Sequence, residues 1–234
     1  MTQQTHNEMY ALAHYNLGYI AFHQKDYTQA QNWFRKYISL EKGENKTALA
    51  DAYNRIGDCY LDVRNFDEAK HYYSQAEAMN TPSGDYSFYQ LALVSGLQKD
   101  YSGKITLLNR LAGKYPASPY AISALYEKGR SYVLMDNNQQ AIASFKELLA
   151  KYPESPVSRK AAAEIGLLYY QNEDYDQAIN AYKQVVQKYP GSDEARLAMR
   201  DLKSIYVRSD KGEMIQLDNL ITLEENCLLY TSPS

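Results

Sequence analysis

The tripeptide Ser102-Gly103-Lys104 is the segment whose residue types could most readily do chemistry, because a Gly-Lys pair ends the phosphate-binding loop of many nucleotide-binding proteins. That loop requires a glycine five residues before the second glycine and a serine or threonine after the lysine. Gln98 and Ile105 occupy these two positions. The segment therefore does not predict a phosphate site, and we interpret it as the turn of a repeat.

Metal-binding and nucleophilic chemistry also find little support in the sequence. His14 and His23 are nine residues apart on a predicted helix, so they do not form the four-residue pair in which helical histidines bind zinc. Cys59 and Cys227 are too few for a disulfide framework and have no paired ligands nearby. No local motif suggests a Ser-His-Asp or Cys-His group, although such groups assemble in space. We predict no catalytic residue, no metal site and no cofactor.

The composition is that of an ordinary folded chain, except that it is rich in tyrosine. Of its 234 residues 45% are hydrophobic and 23% are charged, and the net charge of -3 offers no basic face to nucleic acid. No run of about 18 apolar residues exists, so we expect no membrane insertion. The first residues lack the basic and then apolar pattern of a secretory signal. The 24 tyrosines can each pack a ring and still offer a hydroxyl to a partner.

The elements that would position these side chains recur along the chain. Five small residues each precede an Asp or Asn by eight positions, at spacings of 39, 35, 37 and 37 residues. A period in this range indicates stacked copies of one supersecondary unit. The pairs are Gly18 with Asp26, Gly57 with Asn65, Ala92 with Asp100, Gly129 with Asn137, and Gly166 with Asp174.

Each repeat is predicted to be two helices joined by a short turn, because its apolar residues recur at steps of three and four. The glycine lies inside the first helix, where it costs about 1 kcal/mol relative to alanine. We expect close approach of the two helix backbones to offset this cost. The Asp or Asn at the turn should cap the second helix. The matching small residues of the second helices are Ala30, Ala69, Ala141 and Ala178.

Three connectors between repeats are near copies of one another. Tyr115, Tyr152 and Tyr189 each precede a proline, which disfavours helical backbone in the residue before it. These tyrosines should therefore end the second helices. The serine of each connector should cap the helix that follows.

The arrangement resembles the tetratricopeptide repeat, whose pattern has an aliphatic residue, Gly or Ala, Tyr, Ala, an aromatic residue and Pro at fixed steps. In repeat five these residues are Ile165, Gly166, Tyr169, Ala178, Tyr182 and Pro190. The resemblance implies an all-α fold, a right-handed α-solenoid of helix-turn-helix repeats over residues 5–226. The repeats would span about 11–44, 50–83, 85–118, 122–155 and 159–192, with a partial sixth over 193–226.

The Tyr-Pro-x-Ser-Pro connectors resemble those of two bacterial cell-envelope proteins with such repeats. These are the periplasmic coordinator of the Tol-Pal system and the outer-membrane lipoprotein of the barrel-assembly machine. Residues 227–234 do not continue the repeat and resemble a translated sequencing adapter, so we interpret them as a non-native tail. These resemblances imply a fragment of a larger bacterial protein, with the periplasm or cell envelope favoured as its location and the cytoplasm left open.

The family resemblance also implies where a partner would bind. In tetratricopeptide arrays the first helices line a concave groove, and set positions of each repeat face it. Aromatic residues and Arg, which dominate interface energetics, are frequent at these positions here, and one stretch with Asp51, Asp58 and Asp62 is acidic. The candidate groove residues are Tyr15, Tyr19, Phe22, Asn54, Asp58, Tyr86, Tyr89, Tyr126, Arg130 and Tyr170. We therefore predict a non-enzymatic scaffold that binds a protein or peptide partner.

Alternatives to this interpretation stay open. Many of the tyrosines could instead pack between adjacent repeats. The chain could also be a non-catalytic accessory region of a larger enzyme, or a structural spacer in the cell envelope. One binding mode is disfavoured: chaperone-binding members of the family grip a terminal carboxylate with Lys and Asn at two groove positions. No repeat here has that pair, and Asp58 would repel a carboxylate.

Overall fold

The computed structural model describes residues 3–41 and 43–208, and these ranges contain eleven α-helices and no strand. The second helix predicted for the sixth repeat and the tail at 227–234 lie outside the described residues. The helices are α1 (Gln3–His23), α2 (Tyr27–Leu40), α3 (Lys46–Asp62), α4 (Phe66–Ala78), α5 (Gly84–Leu97), α6 (Tyr101–Lys114), α7 (Ala121–Leu134), α8 (Asn138–Lys151), α9 (Pro156–Gln171), α10 (Tyr175–Lys188) and α11 (Asp193–Arg208).

The chain divides into two compact units, and the division falls after Ala124, within α7. In the first unit α1 packs on α2, α3 on α4 and α5 on α6, while α2 and α4 also contact the first helix of the following pair. In the second unit α9 packs on α10, α8 contacts α9, and α10 contacts α11. Within each unit, helices therefore pack mainly on their neighbours in sequence, as expected for a repeat array.

The turns inside the helix pairs have the caps that the sequence predicts. Asp26 Oδ1 accepts a hydrogen bond from the backbone amide of Gln29 at 3.0 Å. The same bond is made for α4, α6, α8 and α10 by Asn65, Asp100, Asn137 and Asp174. The residue before each cap is not glycine, yet its φ lies between 54° and 64° in all five turns. This left-handed residue reverses the chain between the two helices.

The connectors between repeats also end and begin helices as predicted. Tyr115, Tyr152 and Tyr189 are the C-cap residues of α6, α8 and α10. Ser155 Oγ accepts a hydrogen bond from the amide of Val157 at 3.2 Å, and the proline between them is the first residue of α9. Proline suits that position because the amide it lacks would have no partner within the helix.

The glycines of the first helices face aromatic rings, which corrects the expectation that two backbones meet there. A Cβ at Gly57 would lie 2.7 Å from Cε1 of Tyr73, a side chain that is completely buried. The missing side chain thus makes room for a ring of the second helix. In repeat three Ala92 takes the place of the glycine, and Leu108 takes the place of the ring. The other ring and glycine pairs are Phe34 with Gly18, Phe145 with Gly129, and Tyr182 with Gly166.

Candidate functional site

A groove of about 580 Å³ is lined by side chains of α1, α3 and α5 in the first unit. We call it the first-unit groove. Its rings come from α1 in repeat one, from α5 in repeat three and from the connector after α6, while α3 of repeat two contributes polar and charged side chains. Its lining includes Tyr15, Tyr19, Asp51, Asn54, Arg55, Asp85, Tyr86 and Tyr120.

Asp51 holds the two tyrosines of α1. The hydroxyl of Tyr15 donates a hydrogen bond to Asp51 Oδ2 at 2.7 Å, and the hydroxyl of Tyr19 donates to the same oxygen. The other carboxylate oxygen of Asp51 lies 3.6 Å from Nε of Arg55. Two rings of the first repeat are therefore fixed by a carboxylate of the second.

Asp58 is the centre of a second cluster that adjoins the groove, because it contacts the lining residues Arg55 and Tyr86. Its Oδ2 lies 2.7 Å from Nη1 of Arg55, and its Oδ1 accepts hydrogen bonds from Tyr73 at 2.6 Å and from Tyr86 at 2.7 Å. The guanidinium carbon of Arg55 also lies 4.9 Å from the centre of the Tyr86 ring. The side chain of Asp58 is 14% exposed, and Arg55 pairs its charge.

The titration behaviour of these groups follows from their burial. Burial, together with the charge and hydrogen bond of Asp51, raises the pKa of Tyr19 to about 12 and raises that of Tyr15 as well. Burial also raises the pKa of Asp58, although Arg55 and the two tyrosine hydroxyls act in the opposite direction. The tyrosines therefore stay protonated near neutral pH, and their hydroxyls donate hydrogen bonds to the carboxylates.

The other predicted residues of the first unit have packing contacts as well. Asn54 is 4% exposed, and its Oδ1 accepts a hydrogen bond from Ser87 at 2.9 Å. Phe22 lies beneath Arg55, with 5.7 Å between the guanidinium carbon and the ring centre. Tyr89 stacks on Tyr120 with ring centres 4.9 Å apart and planes inclined by 16°.

The predicted residues of the second unit do not form one cluster. Arg130 Nη1 donates to Glu164 Oε1 at 3.1 Å. Tyr126 and Glu164 contribute to a separate hollow of about 450 Å³ between α7, α9 and α11. Tyr170 lies near the end of α9, where its ring packs edge-on against Tyr175 with centres 5.7 Å apart.

Sequence reasoning missed several lining residues of the first-unit groove, among them Arg55, Asp85 and Tyr120. A signal for Arg55 was present, because Asp51, Arg55 and Asp58 are spaced by four and three residues and therefore share one helical face. Asp85 Oδ2 accepts a hydrogen bond from Ser118 Oγ at 2.7 Å. This bond joins the start of α5 to the connector after α6, a contact that no local pattern predicts.

In residues 3–41 and 43–208, no group of three or more His, Cys, Asp or Glu side chains is placed to hold a metal ion. Over the same part of the chain, no helix combines the length and the apolar character needed to cross a bilayer.

Comparison with protein families identifies the class of this chain. One model of the tetratricopeptide repeat matches residues 9–81, and a second matches residues 54–119 and 126–198. The chain belongs to the tetratricopeptide repeat family, whose members are generally protein-interaction scaffolds and typically not catalysts.

One curated relative is the uncharacterized protein ycf37 of Guillardia theta. It is 40% identical over 62 residues, which are 26% of this chain and 35% of that protein. The chain thus covers about a third of the length of this relative.

Solved structures share the fold at low sequence identity. A MamA protein is 18% identical with a TM-score of 0.63, and the match covers 76% of this chain and 91% of the MamA chain. A tetratricopeptide repeat protein from Parabacteroides merdae is 15% identical with a TM-score of 0.65, covering 96% and 81%. YrrB, described as a TPR protein with an unusual peptide-binding site, is 18% identical with a TM-score of 0.60, covering 81% and 92%. These likenesses show an all-α tetratricopeptide solenoid.

Proposed function

We propose that this scaffold binds a peptide segment of a partner protein in the first-unit groove. The observation that carries the proposal is the set of tyrosine rings from separate repeats that Asp51 and Asp58 hold in place by hydrogen bonds. Rings fixed before binding lose little conformational freedom when a peptide arrives, which favours affinity. Tyrosine is also among the residue types that contribute most to binding energy at protein interfaces.

The chemistry of the groove favours a peptide that carries Lys or Arg. The hydroxyls of Tyr15, Tyr19 and Tyr86 each donate their one hydrogen bond to a carboxylate. Toward a ligand they can therefore act only as hydrogen-bond acceptors. The ring faces attract cations in addition. Asp51 and Asp85 line the groove and Asp58 adjoins it, whereas Arg55 is the one basic residue among the described residues of the lining. We propose that a basic segment fits this surface best.

A random peptide library displayed on phage and selected on the purified chain tests the proposal. We expect the retained peptides to be enriched in Lys and Arg, and their affinity to fall at least fivefold when salt rises from low to physiological concentration. Affinity, measured by isothermal titration calorimetry, should also fall at least tenfold in the variant that combines Asp51→Asn with Asp85→Asn.

The matched control is Asp176→Asn, because Asp176 is exposed in the first turn of α10 in the second unit. This variant should bind the selected peptides as the parent chain does. Circular dichroism of all variants verifies that they are folded. Peptides that bind the double variant as tightly as the parent would show that the first-unit groove is not their site.

The connectors that follow Tyr115 and Tyr152 favour a bacterial cell-envelope protein, and we propose this location from their resemblance alone. The accessory-region and spacer interpretations differ from the scaffold proposal in requiring no ligand. Fractionation of cells that express the complete gene tests the location, since an envelope protein will be recovered with the periplasm or the membranes. Recovery only in the cytosol would contradict it.

A further inference from the structure

A second cavity, separate from the first-unit groove, opens among α8, α9 and α10 of the second unit. Its volume is about 250 Å³ and its floor is apolar, with Leu149, Ile165 and Val185. Two small residues, Ala162 on α9 and Ala181 on α10, leave the space open. We call this cavity the Ala181 pocket.

Repeat two of the first unit has two aromatic rings at the positions equivalent to this space. Counted from Gly57 and Gly166, Ala181 is in register with Tyr72 and Ala162 is in register with Tyr53. In the first unit the ring of Tyr72 stacks on Tyr60, with centres 5.5 Å apart and planes inclined by 22°. The ring centre of Tyr53 lies 6.2 Å from that of Tyr72. The second unit thus lacks two rings at equivalent positions.

The groups that surround those rings are kept in the second unit. In the first unit Arg35 donates a hydrogen bond from Nε to the Tyr72 hydroxyl at 3.2 Å, and its guanidinium carbon lies 5.8 Å from the Tyr60 and Tyr72 ring centres.

The register counterparts of Arg35 and Tyr60 in the second unit are Lys146 and Tyr169. Nζ of Lys146 lies 2.9 Å from the Tyr169 hydroxyl and 5.5 Å from its ring centre. The second unit therefore keeps a ring, Tyr169, and a cation, Lys146, while Ala181 replaces the ring that stacks on Tyr60 in the first unit.

We propose that the Ala181 pocket binds an aromatic side chain of a partner protein, stacked on Tyr169 beside Lys146. The size is sufficient, since an apolar cavity of about 150 Å³ can accept benzene. An aromatic ring would bury apolar surface and gain the stacking and cation contacts that Tyr72 makes in the first unit. The site lies in a different unit from the first-unit groove, so the proposal goes beyond peptide binding there.

The charges around the pocket indicate which residues should flank the aromatic residue in the partner's sequence. The lining includes Lys146 and Lys188 and no carboxylate. Within the part of the chain that the structure describes, Nζ of Lys146 contacts the Tyr169 hydroxyl and Nζ of Lys188 lies 5.4 Å from the Tyr189 ring centre, and neither lysine has a carboxylate partner. Acidic residues on either side of the aromatic one would therefore meet unpaired positive charge. The proposed ligand is a Tyr, Phe or Trp side chain with Asp or Glu as its neighbours.

Titration of acetyl-Asp-Tyr-Glu-amide into the isotopically labelled chain, followed by nuclear magnetic resonance, tests the proposal. We expect saturable shifts of the backbone amide resonances of Tyr169 and Ala181. Acetyl-Asp-Leu-Glu-amide and acetyl-Lys-Tyr-Lys-amide should each bind at least fivefold more weakly, because one lacks the ring and the other reverses the charge.

The variant Ala181→Tyr should weaken binding of the first peptide at least tenfold, because the new ring fills the pocket as Tyr72 fills its counterpart. Its melting temperature should not fall. Gln187→Tyr is the matched control, since Gln187 is exposed on α10 and does not line the pocket, and it should bind as the parent does. Absence of saturable shifts at Tyr169 and Ala181, equal binding of the leucine peptide, or unchanged binding by Ala181→Tyr would each overturn the proposal.

Discussion

The ring of Phe145 on α8 occupies the space that a side chain at Gly129 on α7 would need. A Cβ at Gly129 would lie 2.4 Å from Cε1 of Phe145, which is shorter than any real contact of a Cβ atom. The ring itself is completely buried. Because the same relation recurs in four repeats, a glycine on one helix and a ring on the next form the packing unit of this fold.

This relation predicts the effect of a single added methyl group. Gly129→Ala should lower the free energy of unfolding by about 1–3 kcal/mol, the usual cost of overpacking a core. Gly113→Ala is the control, because a Cβ at Gly113 in α6 meets no atom within 4 Å. That variant should instead gain up to about 1 kcal/mol from helix propensity. Urea denaturation of both variants tests the prediction, and equal stability of the two would contradict it.

Removal of Arg55 should be strongly destabilising, because it would leave the carboxylate of Asp58 without its cation. The two side chains are 18% and 14% exposed, and loss of one partner from a buried ion pair costs about 3–5 kcal/mol. We expect Arg55→Met to lie near the lower end of this range, since Tyr73 and Tyr86 still donate to the carboxylate.

The control for Arg55→Met removes an arginine whose ion pair is exposed. The side chains of Arg196 and Asp193 are 74% and 78% exposed, so Arg196→Met should change the free energy of unfolding by no more than about 1 kcal/mol. Thermal denaturation of both variants is the measurement. If Arg55→Met costs no more than the control, the ion pair with Asp58 does not stabilise the groove.

Stability should fall at alkaline pH because buried tyrosines resist ionisation. The pKa of Tyr19 is 10.0 in the unfolded chain and about 12 in the folded one, so between these values the folded state binds more protons. Its contribution is therefore fully present below pH 10.0 and is lost as the pH rises through about 12. Tyr15, Tyr73 and Tyr86 shift in the same direction. The tyrosinate absorbance and the helical circular dichroism signal should change together in this range. Full ionisation of every tyrosine at intact helicity would contradict the prediction.

The local features of the fold were predictable from sequence because short-range chemistry determines them. Asp26 and its counterparts cap second helices, and Tyr115 ends α6, since these depend on residues within one turn. The role of Gly57 was harder to predict. The sequence placed it inside a helix but did not show which group packs against it. The ring of Tyr73 comes from 16 positions further along the chain, and the pattern alone did not distinguish a ring from a backbone.

The groove was less predictable because its bonds join different repeats. Tyr15 and Asp51 are 36 residues apart, and their hydrogen bond depends on how α1 and α3 pack. Family positions placed both near the groove, yet they omitted Arg55, whose charge organises the two carboxylates. The same positions included Asn54, whose side-chain oxygen already accepts a hydrogen bond from Ser87. Side-chain partners across a repeat interface thus require the three-dimensional structure.

The most direct measurement of the central claim is where a selected basic peptide contacts the chain. Nuclear magnetic resonance of the labelled protein, titrated with the tightest peptide from the phage selection, reports this residue by residue. Binding in the first-unit groove predicts the largest shifts at Tyr15, Asp51, Arg55 and Tyr86, with residues 159–208 unaffected. Saturable shifts confined to residues 159–208, with these four resonances unchanged, would contradict the account.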